Sequence, residues 1–233
     1  DDLTFASGGR QIRFGNATAA SLIEVTAGKT FTLANAFDVS AAAGAPVEKL
    51  DNGTLAVQVA NPSWTGGMTI RAGAVLLSVG NGLGTGTINI PTGTVNSGQT
   101  IQSSGQLQLT GGITVANTIT LGVAGSAVNA GINYTGIIRS VSGVNTLAGG
   151  ITHVSGTGTI WGADPGAELV FTGVLAMTNS PSFTGGGTFT FNTSTLQATY
   201  TPGELDDFSA DAKLKFYLTA ADGTGTSTRV FTV

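Results

Sequence analysis

The sequence predicts an all-β protein, and three observations lead to this expectation. Short runs in which apolar and polar residues alternate recur along the chain, separated by pairs such as Gly-Gly, Asn-Gly and Thr-Gly. Glycine fills 36 of 233 positions, about twice its usual share. Hydrophobic residues make up 41% of the chain, whereas disordered chains are poor in apolar residues. The chain is therefore expected to fold, and to fold as strands joined by tight turns.

The alternation places the predicted strands in order along the chain. Each run is short and is bounded by residues that favour turns. The predicted strands cover residues 11–14, 30–33, 54–59, 68–71, 75–79, 87–90, 100–102, 106–109, 113–115, 118–121, 158–161, 168–171 and 188–191.

Internal repetition favours a solenoid over a sandwich. The stretch 53–80 is echoed loosely by 105–125 and again by 143–175, and residues 180–191 repeat a Ser-x-Thr-Gly-Gly core. Units of roughly 20 residues bury nothing alone and are stabilised by stacking. In such a stack we expect Val, Ile and Leu to point inward, with Gly, Thr and Ser at the corners.

The region 47–90 resembles the autotransporter-associated β-strand repeat. Residues 143–174 look like a degenerate second copy, and residues 25–33 look like the lead-in to the first. The positions that match the repeat pattern are Lys49, Gly53, Leu55, Trp64, Gly66, Gly67, Gly73, Leu76 and Gly84. The resemblance implies a right-handed parallel β-helix from a large, exported, cell-surface bacterial protein.

The C-terminal stretch differs in character from the rest, which predicts a solenoid over residues 1–200 and a separate segment over 201–233. Thr201 and Pro202 suit a helix start. Residues 213–233 are typical of a hairpin, with Phe216 and Leu218 on one face. Two interpretations stay open: a cap on the end of the solenoid, or an edge that docks onto the next subunit.

Chemistry-bearing side chains are sparse in the middle of the chain. Residues 72–138 contain no Asp, Glu, Lys, Arg or His, and up to residue 203 only Arg139, His153, Asp164 and Glu168 follow. Acid–base catalysis needs such groups to converge. The sequence therefore predicts no catalytic residue, no cofactor and no metal site, and His153 is expected on the outer face of a strand.

Charges instead concentrate toward the two ends of the chain. The candidate assembly residues are Asp2, Arg10, Arg13, Asp206, Asp207, Phe216 and Phe231. Complementary ends on a solenoid make a heterologous contact that grows into a filament. The sequence thus favours a secreted structural protein, with no enzyme activity, that assembles head to tail with its own copies into an extracellular filament or matrix.

Two other functions follow from the same features. The first is a passenger fragment of a cell-surface adhesin, with a carbohydrate or host surface as partner; the second is a polysaccharide-active enzyme. Nucleic acid is not an expected partner, because the net charge is −4 and the nine Lys and Arg residues are scattered. No membrane span is expected, since no apolar run approaches about 20 residues. The start at Asp1 suits a mature exported product.

Overall fold

The structure is a computed structural model that describes residues 2–5, 11–15, 17–91, 105–122, 132–153, 159–177, 181–191, 216–221 and 226–231. These residues form 21 short strands and one 3₁₀ turn, Ile132–Tyr134. The strands are β1 Leu3–Phe5, β2 Ser21–Glu24, β3 Thr30–Leu33, β4 Val47–Leu50, β5 Thr54–Val57, β6 Met68–Ile70, β7 Ala74–Leu77, β8 Ile88–Ile90, β9 Gln106–Thr110, β10 Thr114–Val115, β11 Ile119–Leu121, β12 Ile138–Ser142, β13 Val144–Leu147, β14 Ile151–His153, β15 Ile160–Ala163, β16 Glu168–Phe171, β17 Leu175–Ala176, β18 Ser182–Thr184, β19 Thr188–Phe191, β20 Phe216–Ala221 and β21 Thr226–Phe231.

All but two of these strands belong to three parallel sheets. Sheet A has the order β1-β3-β5-β7-β9-β12-β15-β18, and sheet B has the order β2-β4-β6-β8-β11-β14-β17. Sheet C is shorter, with the order β10-β13-β16-β19. Strands β20 and β21 pair only with each other and are antiparallel. The prediction of an all-β chain is confirmed for the described residues, and the three larger sheets are parallel.

The chain visits the sheets in a regular order. It alternates between sheet A and sheet B, and from β10 onward it also adds a strand to sheet C. We call each stretch that adds one strand to sheet A and one to sheet B a pass. Each strand of sheets A, B and C pairs in parallel with the strand of the neighbouring pass in the same sheet, as in Leu55 with Val75. The passes differ in length, and the pass that separates Val75 from its next partner, Leu107, is longer.

Buried positions fall into columns that run across the sheets. In sheet B, strands such as β6, β8 and β11 have a buried–partly buried–buried pattern, so every second side chain faces the core. One such column is Val47, Met68, Ile88, Ile119, Ile151 and Leu175, paired in register. All three sheets contribute to one apolar cluster. Each fully buried aliphatic side chain stabilises the fold by about 1.5–3 kcal/mol.

The structure differs from one strand prediction, confirms the hairpin strands and leaves other predictions outside the described residues. Residues 11–14 were expected to form a strand, but the structure has only a single parallel bridge there, between Arg13 and Asp38. The two strands of the predicted C-terminal hairpin are confirmed. The strand predicted at 100–102 and the helix start at Thr201 lie outside the described residues. The division at residue 200 stays a prediction.

Candidate functional site

Lys49 is the most unusual residue of the core. It lies in β4, where Val47 and Lys49 face inward, and its side chain has an exposure of 0%. Its ammonium donates hydrogen bonds to the carbonyl oxygens of Leu50 at 2.7 Å, Asp51 at 2.6 Å and Ala72 at 3.2 Å. All three protons of the ammonium therefore have an acceptor.

The contacts of Lys49 tie one pass to the next. Leu50 is the last residue of β4, Asp51 begins the turn that follows it, and Ala72 belongs to the corresponding turn of the next pass. Burial lowers the pKa of Lys49 to about 8, and the nearby Asp51 carboxylate opposes this shift. Gly73, with φ +67°, lies over this turn: a Cβ there would come 2.3 Å from the Gly53 oxygen and 2.9 Å from Lys49 Nζ. The glycine leaves room for the ammonium.

Two ion pairs also link neighbouring passes. Arg71 donates from Nε and Nη2 to the two carboxylate oxygens of Glu48 at 2.6 and 2.7 Å. Arg139 makes the same two-bond contact with Asp164, both bonds at 2.7 Å. The Arg71 hydrogen bonds hold the pKa of Glu48 below its usual value. In each pair the two residues come from adjacent passes, so the charges brace the stack.

Buried asparagine side chains also link neighbouring passes. Asn61 Oδ1 accepts from the Phe37 amide at 2.7 Å, and its Nδ2 donates to the Gly82 oxygen at 2.7 Å. Asn61 therefore bonds the backbone of the pass before it and of the pass after it. Asn145 and Asn117 are likewise buried, and each bonds backbone groups of a different pass.

Aromatic side chains gather into two clusters, one in the early passes and one in the late passes. Phe14, Phe37 and Trp64 form the first, with ring centroids 4.8 to 6.0 Å apart. The second contains Trp161, Phe171, Phe183, Phe189 and Phe191, whose neighbouring centroids lie 4.6 to 5.9 Å apart. Phe183, Phe189 and Phe191 are only partly buried and lie in β18 and β19, the last strands of sheets A and C.

The positions that match the repeat pattern have structural roles. Leu55 is buried in sheet A, Leu76 lies partly buried on the other face of that sheet, and Gly53 and Gly67 are buried at turns. Trp64 is buried and donates from Nε1 to the Ala45 oxygen at 2.7 Å. A Cβ at Gly66 would lie 1.9 Å from that same oxygen, so the two passes touch there.

The prediction for His153 is wrong. The side chain was expected on the outer face of its strand, but it is buried in β14 and paired in register with Leu121. Burial lowers its pKa. Arg139 lies in sheet A, where its partly exposed side chain points away from the core and binds Asp164. These three residues therefore do not converge on one groove.

Only some of the candidate assembly residues fall within the part of the chain that the structure describes. Asp2 is exposed and its Oδ1 accepts from the Thr30 amide at 2.8 Å. Arg13 is exposed, and its Nε lies 3.7 Å from Oδ2 of Asp38. Phe216 and Phe231 are paired across the hairpin. Arg10, Asp206 and Asp207 lie outside the described residues.

No protein-family model matches this chain, and neither the curated proteins nor the solved structures contain a match to it. The fold and the proposed function are therefore inferred from the residues of this chain alone.

The described ranges hold no group of three or more His, Cys, Asp or Glu residues that could bind a metal ion. Within the same ranges, no helix has the length and apolar character that crossing a membrane requires.

Proposed function

We propose that this chain is a secreted structural subunit that assembles end to end with its own copies into an extracellular filament or matrix. One observation carries the proposal: several buried or partly buried charged and amide side chains bind the neighbouring pass. Lys49, Asn61 and the Arg139–Asp164 pair are examples. These contacts join successive passes and make the stack rigid along its axis, which a structural filament requires.

We propose further that the three sheets form the sides of a right-handed parallel β-helix of the kind that the repeat resemblance implies. The regular order of passes supports the helix, because each pass returns to the same sheet beside the previous one. Parallel strands joined by a crossover are right-handed in about 98% of cases, which supports the hand.

The ends of the stack supply the means of assembly. Within the described residues β1 and β2 are outermost at one end, and β17, β18 and β19 are outermost at the other. An outermost strand presents backbone donors and acceptors on its open side. Because the sheets are parallel, a second copy stacked in the same direction extends them, and this contact repeats without closing.

Electron microscopy and light scattering of the purified chain test this function. We expect thin, unbranched particles that lengthen as the protein concentration rises, with an axial repeat set by strands about 4.8 Å apart. A single monomeric species across the whole concentration range would contradict the proposal. Fractionation of the producing cells, with the chain detected outside the cytoplasm, tests the secreted location.

A second candidate is a surface adhesin that binds carbohydrate, and a groove favours it. The groove has a volume of about 720 Å³ and lies where sheet C begins, between the turn residues 78–85 and residues 113–117. Asn81, Thr85 and Thr114 offer it polar side chains. Glycan-array binding that is lost in Asn81→Ala would support this function. Flanking repeats in the gene would also favour it.

A further inference from the structure

Two asparagines are followed directly by glycine, which is the setting in which an asparagine side chain is most reactive. Asn52 precedes Gly53 and Asn81 precedes Gly82, and the sequence contains no other Asn-Gly pair. Because glycine has no side chain, its backbone nitrogen can approach the carbonyl carbon of the preceding asparagine side chain. Both asparagines are exposed and lie in turns between strands. The molecule therefore offers two places for the same reaction.

The reaction is an intramolecular substitution followed by hydrolysis. The backbone nitrogen of the glycine loses its proton and attacks the carbonyl carbon of the asparagine side chain, ammonia leaves, and a cyclic succinimide forms. Water then opens the ring at either of its carbonyl carbons, which gives an aspartate or an isoaspartate. The net change converts an amide and a water molecule into a carboxylic acid and ammonia, so water is the only other reactant.

The backbone nitrogen of Gly53 is held by the neighbouring pass. It donates to the Val25 oxygen at 2.7 Å. A Cβ at Gly53 would lie 2.6 Å from that same oxygen, so the glycine backbone lies directly against the other pass. A nitrogen in such a packed, hydrogen-bonded place cannot lose its proton or move toward the side chain unless the two passes separate. The fold therefore protects Asn52.

The backbone nitrogen of Gly82 is held within its own turn. It donates to the Val79 oxygen, three residues earlier, at 3.2 Å. The atom nearest to a Cβ at Gly82 would be Cγ1 of the Val57 side chain, at 3.0 Å, rather than a backbone atom of another pass. Opening this one turn frees the nitrogen while the passes stay together. A local opening of this kind needs less free energy than the separation of packed strands.

We propose that Asn81 is a site of spontaneous deamidation in the folded chain, and that the fold protects Asn52 from the same reaction. The two sites share their chemistry and their exposure. They differ in the acceptor of the glycine nitrogen, which belongs to the neighbouring pass at Gly53 and to the same turn at Gly82.

Deamidation at Asn81 changes both the charge and the bracing of the stack. Residues 72–138 contain no Asp, Glu, Lys, Arg or His, so the product places a carboxylate in an uncharged stretch, beside the groove that Asn81 lines. Asn61 binds the Asn81 oxygen through its backbone nitrogen at 3.0 Å and the Gly82 oxygen through Nδ2 at 2.7 Å. An isoaspartate lengthens the main chain by one carbon between these two carbonyl groups. Asn61 then cannot bind both in their present positions.

Peptide mapping of the aged protein tests the proposal. The purified full chain is kept at 37 °C at pH 7 and at pH 9, and its chymotryptic peptides are sequenced by mass spectrometry at intervals over several weeks. Aspartate and isoaspartate should accumulate at Asn81, and faster at pH 9 because the glycine nitrogen must lose its proton. Asn52 should convert more slowly by about tenfold or more, since its reaction requires the passes to separate.

Two controls separate the effect of the fold from intrinsic reactivity. In guanidinium chloride the two Asn-Gly pairs should convert at similar rates, because no folded structure distinguishes them. Asn81→Gln keeps the amide but would have to form a larger ring, so it should abolish the conversion at position 81 and leave Asn52 unchanged. In the folded chain, equal rates at the two sites, a faster rate at Asn52 or conversion at neither site would overturn the proposal. The rates are read from peptide masses, so such a failure would leave the proposed function standing.

Discussion

Lys49 and His153 lie in the same core-facing column of sheet B. The column is read from the strand register, in which each position pairs with the next pass. Ile23, Lys49 and Ile70 pair in register, as do Ile90, Leu121 and His153. Ile70 and Ile90 each directly follow the paired residues Thr69 and Asn89, which joins the two sets into one column. Two weak bases thus occupy a row that is otherwise aliphatic. Burial lowers the pKa of both, so the fold opposes their protonation at opposite ends of the stack.

We predict that stability rises with pH between about pH 8 and 10.5 because of Lys49. The folded-state pKa of Lys49 is about 8 and its ordinary value is 10.5, so in this window the unfolded chain binds more protons than the folded one. The gain approaches about 3 kcal/mol when complete. Urea unfolding of the wild type and of Lys49→Met at pH 7.5, 9 and 10 measures it.

The matched control for this prediction is Lys29→Met, since Lys29 is exposed. The control should retain the full rise, and Lys49→Met should lose it. A wild type and Lys49→Met whose unfolding free energies run parallel across the three pH values would contradict the prediction.

His153 predicts a second window, on the acid side. Its folded-state pKa lies below the ordinary value of 6.5, so as the pH falls below 6.5 the unfolded chain takes up a proton first. The His153 contribution to stability is therefore lost toward low pH. In His153→Leu, which copies its column neighbour Leu121, the free energy of unfolding should fall less between pH 7.5 and 5 than in the wild type. Identical losses in the two proteins would count against it.

Much of the fold could be predicted from the sequence, because a strict alternation of apolar and polar residues identifies a strand. Nearly all predicted strands between 30 and 191 that fall on described residues recur in the structure to within a residue or two. Seven other strands of the three sheets were not among the predicted ones except as parts of the repeat, namely β1, β2, β12, β13, β14, β17 and β18. Strand β4 was also not predicted, because Glu48 and Lys49 obscure its alternation. The passes lengthen near the middle, where Val75 pairs with Leu107, and no composition rule reveals which turns are extended.

The site was harder to predict, because its contacts join passes that are distant along the chain. Lys49 was recognised as a repeat position, but its acceptor at Ala72 comes from the next pass. The sequence does indicate the burial of His153, because Ile151 and His153 are two residues apart in a strand and therefore share a face. The partners of Arg139 and Asn61 depend on register, which the sequence alone does not fix.

The two-bond ion pairs should contribute measurably to stability, and the looser pair should not. A double-mutant cycle on Arg139 and Asp164 is expected to give a coupling of about 1 kcal/mol that weakens in 1 M salt. The control is Arg13 with Asp38, where the separation is 3.7 Å and the Arg13 side chain is 62% exposed. Its coupling should be close to zero, and equal couplings for the two pairs would refute the distinction.

Close approach of successive passes makes one glycine far less replaceable than another with the same backbone angle. Gly84 has φ +66°, and a Cβ there would lie 2.0 Å from the Trp64 oxygen, whereas Gly28 has φ +72° and open space around it. Gly28→Ala should cost only the left-handed strain, about 1–2 kcal/mol. Gly84→Ala should cost about 2–5 kcal/mol, because overpacking between passes adds to the same strain. Urea midpoints with unchanged m values measure the difference. Equal losses in the two variants would mean that the passes can separate there without cost.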